Sequence, residues 1–538
     1  MVTSRGARRR PSIAIALAVL SMAVSGCARN TAGALPNGPA DWARYGGDYG
    51  NERFSPLDEI TTNNVERLVP AYVVQTSTIG PFEGSPIVHD GVLYISTPSD
   101  GIKAVDAKTG DALWQRSPIS GDFRICCGPV NRGVAVGAGL VVIGQLDAKL
   151  VALDAHSGKP KWSTVVADNR DGYSITMAPL IYKASVLIGV AGGEFGIRGS
   201  LSSYALRDGR LQWRWYSTDP QHWRSFSTGN TGDGPARNIN QEKADYPAFA
   251  DAWKHGGGPI WTTPAIDPVR NAIYLSTGNP WPGLFGRTRP GDNLFTDCIV
   301  ALDATSGKLK WYFQETPHDV HDRDAAAPPM LFDMTRNGRT VAAVAEVSKN
   351  GRLYILDRDN GRLIDDRLRL GILAAAAKTP PTDLEGGSNW SPLSFNPQLG
   401  YLIVCASHHV KRGSSEDTAA QATAPQKHAV AERYGLASAV DVGHGAIVWQ
   451  DQFDLGLVGG SVSTAGGLTF FGEAFGDFDA VDTQTGRLLW QFQTGAGVNA
   501  PPIVFRAGDD EFVAVASGGN RQIGTPYGDA LFVFHLGR

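Results

Sequence analysis

Short apolar runs of strand length recur along the chain, and a polar turn of one kind closes many of them. "LYIST" at Leu93 and "IYLST" at Ile273 have the length and patterning of half-buried strands. The turn that follows such runs is Asp-x-x-x-Gly. There the Asp carboxylate can accept backbone N–H groups and the Gly can take positive φ. The residues that end in Trp start the next strand. "AVDAKTGDALW" ends at Trp114, "ALDAHSGKPKW" at Trp162, "ALDATSGKLKW" at Trp311, "AVDVGHGAIVW" at Trp449 and "AVDTQTGRLLW" at Trp490. Weaker copies are "YALRDGRLQW", ending at Trp213, and "ILDRDNGRLID", around Asp357. Spacing this constant marks a repeat architecture, because one such unit cannot bury its own faces and radial stacking can. The pattern predicts an all-β chain: an eight-bladed β-propeller of four-stranded blades, with the repeat tryptophans docking blade on blade. Two stretches break the period, 219–258 and the polar, Ala-rich 412–432.

Composition is that of a globular chain: 538 residues, 42% hydrophobic, 19% charged, net charge −4. That balance gives nucleic acid nothing to bind. The first residues are a separate matter. "RGARRR" precedes the apolar "SIAIALAVLSMAV", which is short for a membrane span, and "VSGC" follows, ending at Cys27. This resembles a bacterial lipoprotein signal. It implies a signal peptide over 1–26, a lipid on Cys27 that anchors the chain to a membrane, a linker over 27–40, and one propeller domain over 41–538. The expected location is periplasmic or otherwise extracytoplasmic, where disulfides persist.

Five cysteines are present, and two are adjacent, Cys126 and Cys127 in "RICCGPVNRG". Neighbouring Cα atoms sit about 3.8 Å apart, whereas ordinary disulfides want roughly 4.4–6.8 Å. The pair is therefore either two buried thiols or a strained bridge of the kind found at functional sites. Cys298 in "CIVAL" and Cys405 in "LIVCAS" read as buried free thiols. There is no HExxH and no CxxCH, so neither zinc nor attached c-type haem is expected.

The repeat, the leader and the cysteine pair together resemble the pyrroloquinoline quinone (PQQ)-dependent alcohol dehydrogenases, which are eight-bladed quinoproteins. The likeness runs from "DWARYGGDYGNERFSPLDEITTNNVERL" to "GDALFVFHL". It implies a vicinal disulfide, Cys126–Cys127, over one face of the quinone, with Trp261 of "GGGPIW" under the other. It implies cofactor contacts from Glu83 of "FEGSP", Arg132 of "CCGPVNRG", Thr176 of "YSITMAP", Gly192 and Gly193 of "GGEFGIRG", and Asn389 of "GGSNWSP". Glu194, and Asn279 of "STGNPWP", are implied metal ligands. Asp322 of "TPHDVHDRD" occupies the catalytic-base position, and Lys349 of "SKNGRLYILDR" the residue that bonds the reactive carbonyl. Asp322 and Asp324, two apart in an extended segment, share a face and complete the metal set.

These residue types suit that chemistry. A flat cofactor bearing carboxylates needs stacking surfaces and cationic donors, and a hard cation takes carboxylate and amide oxygens. Ca²⁺ is the expected ion and a lanthanide the alternative. The substrate is an alcohol, with electrons passing to cytochrome c or another external acceptor. A similar site in an aldose-oxidising quinoprotein would take a sugar, and the repeat with its leader would also fit a non-enzymatic outer-membrane assembly scaffold. Pro259, Val458 and Gly519 depart from the family pattern and point to a more open pocket or a different substrate.

Overall fold

The computed structural model describes residues 41–227, 236–336, 338–368, 370, 384–410, 433–520 and 523–537. The leader, Cys27, the linker and the expected loop at 412–432 lie outside them. Eight sheets form a closed ring of blades, antiparallel throughout except where the short strand Phe54–Ser55 pairs parallel with Ser461–Thr464. The first blade comprises Ile87–His89, Val92–Ser96, Ile102–Asp106 and Ala112–Arg116, running from inner to outer strand. The next six follow in chain order, with inner strands Ala135–Gly137, Leu180–Tyr182, Ala265–Asp267, Met330–Arg336, Ser394–Asn396 and Ser461–Thr464. The eighth takes its outer strand from the start of the chain. Leu68–Gly80 pairs antiparallel with Gly528–Leu536 and so closes the ring.

The repeat is a docking device. Five repeat tryptophans donate their indole N–H to a backbone carbonyl of the next blade, four of them at its repeat turn. Trp114 bonds Ala155 at 2.9 Å, Trp162 bonds Leu206 at 2.9 Å, Trp311 bonds Arg358 at 3.2 Å, Trp449 bonds Thr483 at 3.0 Å and Trp490 bonds Leu68 at 3.1 Å. The turn Gly is required twice over. At Gly158 φ is +68°, and a Cβ there would stand 2.6 Å from the Trp114 ring. The turn Asp works as expected: Asp303 Oδ1 accepts the N–H groups of Thr305 and Ser306 at 3.1 and 2.8 Å.

A segment before the first blade threads the inner strands together. The carbonyls of Tyr49, Gly50, Glu52 and Arg53 accept N–H groups from Ile266, Leu331, Phe395 and Ser463, in four different blades. Arg53, fully buried, adds a bond from Nε to Ser461 O at 3.0 Å. Among the described residues no helix is long and apolar enough to cross a membrane.

The ring also fixes where chemistry can gather. Connections from an outer strand to the next inner strand, and hairpins between second and third strands, emerge at one end. Glu83, Arg132, Thr176, Trp261, Asp322, Asp324 and Asn389 lie on the first kind of connection; Glu194, Asn279 and Lys349 lie on the second.

Candidate active site

All the expected site residues except Asp322 line one cleft. Asp322 joins it through Lys349. Cys126 and Cys127 are disulfide-bonded, with Cα atoms 3.8 Å apart, so the bridge expected from the family resemblance is present. Cys298 and Cys405 are free and buried, as expected.

At the floor of the cleft Arg132 organises a buried polar cluster. Its Nη2 pairs with Glu83 Oε2 at 2.7 Å, and its Nη1 donates to Thr176 Oγ1 at 2.9 Å. The guanidinium lies 4.9 Å from the centre of the Trp261 ring and 5.2 Å from that of Trp390. Glu83 Oε1 accepts Asn520 Nδ2 at 2.6 Å. Burial raises the Glu83 carboxyl above the ordinary range, while Arg132 and Asn520 pull against that rise.

The acidic side of the cleft is built on two loops. Lys349 Nζ lies 3.3 Å from Asp322 Oδ2 and also bonds Asp324 Oδ2. Burial works to lower the Lys349 ammonium, but Asp324 and Asp322 outweigh it and hold it well above its usual value. Asp324 Oδ1 accepts the backbone N–H of Asn279, so the loop carrying Asp322 and Asp324 and the Asn279 loop are joined. The Asp322 side chain is 56% exposed, yet protein packed around its carboxyl pushes it up to about 7; Lys349 opposes this, and Asp324 and Asp319 add to it. Glu194 sits in the turn Gly193–Phe195, flanked by Gly192 with φ +114°. A Cβ at Gly192 would strike Gly172 O at 2.0 Å, so the turn demands glycine there. Glu194 is also raised, by burial first and then by Asp324.

The residues fit a planar polycarboxylate and a hard cation. Arg132 Nε and Trp390 Nε1 are buried on the cleft wall without a hydrogen-bond partner, two donors suited to carboxylates. Trp261 and the disulfide supply flat and bulky walls. Glu194, Asn279, Asp322 and Asp324 supply only oxygen donors. These residues are not drawn into one tight set: the carboxylates of Glu194, Asp322 and Asp324 are not all within 4.8 Å of one another. The compact triad is instead Glu194 with the sulfurs of Cys126 and Cys127.

Of the three departures, Pro259 lines the cleft, whereas Val458 and Gly519 are not in its wall. Gly519 has φ +77°, and a Cβ there would meet Pro526 O at 2.2 Å. Sequence reasoning missed Trp390, Asn520 and the fully buried Asp319. Trp390 follows Asn389 directly, so adjacency was a usable signal. Asn520 reaches Glu83 across 437 positions, and no local pattern reveals that.

An eight-bladed ring with a vicinal disulfide, a buried Arg–Glu pair and a carboxylate–lysine cluster at one end defines a class, the quinoprotein dehydrogenases. The family model "PQQ: Glucose/ethanol/alcohol dehydrogenase, beta-propeller domain" matches residues 42–366 and 430–513. The chain belongs to that family and is a PQQ-dependent alcohol dehydrogenase. It is 33% identical to the quinoprotein alcohol dehydrogenase PedH of Pseudomonas putida, over 95% of this chain and 92% of that one. It is 32% identical to the quinohemoprotein alcohol dehydrogenase of Comamonas testosteroni, over 89% of this chain and 72% of that one. Among solved structures it superposes on a europium-containing methanol dehydrogenase with a TM-score of 0.78 and 28% identity, covering 93% of this chain and 98% of that one.

Proposed function

We propose that Asp322 is the catalytic base of this alcohol dehydrogenase and that Lys349 steadies the charge that develops on the cofactor side. The observation that carries the reading is the shared contact of Lys349 with Asp322 and Asp324 on the cleft wall. Bound PQQ supplies the acceptor for the hydride of the alcohol carbon. Arg132, Thr176, Asn389 and Trp390 would hold its polar groups, and Trp261 and the Cys126–Cys127 bridge would shield it from water. Asp322, open to solvent on one side, takes the hydroxyl proton and returns it to water. Lys349 stays protonated and offers a fixed positive charge.

Glu194, Asn279, Asp322 and Asp324 would hold a hard cation. Three carboxylates favour a trivalent ion over Ca²⁺ in affinity, because ligand charge count sets the strength of such oxygen sites. The likeness to a europium-containing methanol dehydrogenase supports the same reading. The substrate is an alcohol rather than an aldose, in keeping with the names of the relatives. Electrons leave to an external acceptor such as a cytochrome c, and a lipid on Cys27 anchors the chain outside the cytoplasm.

The test is reconstitution of the apo-chain with PQQ and either Ca²⁺ or a light lanthanide. Dye reduction is then read across primary alcohols, secondary alcohols and aldoses, beside Asp322→Ala. Alcohol turnover that needs a cation and disappears in Asp322→Ala is expected. Full turnover in Asp322→Ala removes the base from this residue. Mass spectrometry of the mature N-terminus checks the lipid.

A further inference from the structure

We propose that Asp319 is a positioning residue for Asp322, and that the buried Arg289 locks this support by tying the base loop to the loop carrying Asn279. The proposal rests on the reading of Asp322 as the base.

Asp322 holds φ +61°, a left-handed backbone that residues other than glycine rarely adopt and that costs about 1–3 kcal/mol unless its surroundings enforce it. The enforcing contacts come from one carboxylate. Asp319 is fully buried. Its Oδ1 accepts the N–H of His321 at 3.0 Å, and its Oδ2 accepts the N–H of Arg323 at 2.9 Å. The two amides that bracket Asp322 are thus held by the two oxygens of a single ionised group. Such charge-assisted bonds are roughly twice as strong as neutral ones. With both flanks fixed, the main chain sets the direction of the Asp322 side chain together with the contact of its carboxylate with Lys349.

Arg289 prevents that support from drifting. It is fully buried. Its Nη2 donates to the main-chain carbonyl of Asp319. Its Nε reaches Pro282 O at 3.0 Å and its Nη1 reaches Asn293 Oδ1 at 2.6 Å. Pro282 belongs to the loop that begins at Asn279. One rigid guanidinium therefore spans the base loop and the Asn279 loop, and lysine cannot reproduce its fork. The Asp319 carboxylate in turn offsets the charge of the buried guanidinium. Each member makes the burial of the other tolerable, so the pair acts as a unit.

A base displaced by about 1 Å can cost on the order of 10²-fold in rate. Asp319→Ala should therefore lower kcat per PQQ-loaded site by roughly 10- to 100-fold. The KM for the alcohol should move by less than about 3-fold, because nothing that binds substrate is removed. With a 1,1-dideuterated alcohol the kinetic isotope effect should rise toward its intrinsic value, since misplacing the base slows the chemical step. In the apo-chain, hydrogen exchange of the peptide covering 316–325 should speed up. Asp319→Asn keeps the shape but offers one acceptor and one donor to two N–H groups, so it should fall between wild type and Asp319→Ala.

Unchanged kcat per loaded site together with an unchanged isotope effect and unchanged exchange overturns the proposal. So does a loss of turnover that tracks loss of PQQ loading alone, since that describes a structural residue. If Asp319→Ala does not fold, Asp319→Asn decides by the same three readouts. Asp322→Asn is run beside them: full activity there defeats the base assignment, whereas an inactive Asp322→Asn beside a wild-type-like Asp319→Ala defeats only the positioning role.

Discussion

Replacing Arg132 by Leu separates what this residue does for stability from what it does for the cofactor. Glu83 is 2% exposed, and without Arg132 its carboxylate keeps only the bond from Asn520. Removing one member of a buried ion pair leaves the other uncompensated, at about 3–5 kcal/mol. Glu83 can escape part of that cost by staying protonated, which makes the penalty depend on pH. Burial already raises the folded value of Glu83, with Arg132 opposing; removing Arg132 raises it further. Between the unfolded value near 4.3 and the raised folded value, the native state holds a proton that the unfolded chain has released. Stability then falls as pH rises, by up to about 1.4 kcal/mol per unit for this one group. Wild type has the same slope over a narrower window. The penalty of Arg132→Leu should be small near pH 5 and largest near pH 8. Adding Glu83→Gln removes the charge and keeps an acceptor for Asn520, so the double variant should recover most of the loss and its pH dependence. PQQ affinity should remain low in both, because the donor for the carboxylate is gone either way. The assay is denaturant unfolding of the apo-chain at several pH values, beside PQQ titration by fluorescence. A penalty that does not change with pH and is not relieved by Glu83→Gln would refute the reasoning.

Three further outcomes follow from the same geometry. Gly158→Ala should destabilise the chain by more than about 2 kcal/mol in denaturant unfolding, because left-handed strain of about 1–2 kcal/mol adds to a clash with the Trp114 ring. Gly139→Ala, also at positive φ but with open space around it, should lose only the strain. In the cation-loaded enzyme the acid limb of kcat/KM should rise with pH as Asp322 deprotonates. Its midpoint should lie at or below the value near 7 that burial and neighbouring acids set without an ion, since a cation favours the carboxylate; a midpoint clearly above 7 refutes this. Cys126→Ala with Cys127→Ala should speed release of PQQ, followed by fluorescence on dilution, because a wall of the cleft is lost.

The repeat was legible because each copy is local. Asp, Gly and Trp at fixed spacing state a turn, its φ and the docking residue within eleven residues, and the indole-to-carbonyl bonds join each copy to the next blade. The cofactor wall was legible through motifs that each lie within one connection, such as "CCGPVNRG" and "GGEFGIRG". Asp319 and Arg289 were not, because an Asp or Arg in a loop is most often solvated. Only the closed ring shows that these two meet and that both are buried. The closeness of Glu194 to the disulfide sulfurs was likewise invisible, since the sulfurs sit on the connection into the second blade and Glu194 in a third-blade hairpin.

Ring closure itself reaches into the site. The eighth blade closes through Gly80 paired with Gly528, and Glu83 stands just beyond the first of these strands. Asn520 stands on the connection leading into the second. The Glu83–Asn520 bond therefore joins the two ends of the chain directly beneath Arg132. Asn520 is held in turn, its backbone N–H donating to Thr525 Oγ1 at 2.6 Å. A propeller closed this way cannot lose its terminal strand pairing and keep the Glu83–Asn520 contact that backs the buried Arg132–Glu83 pair.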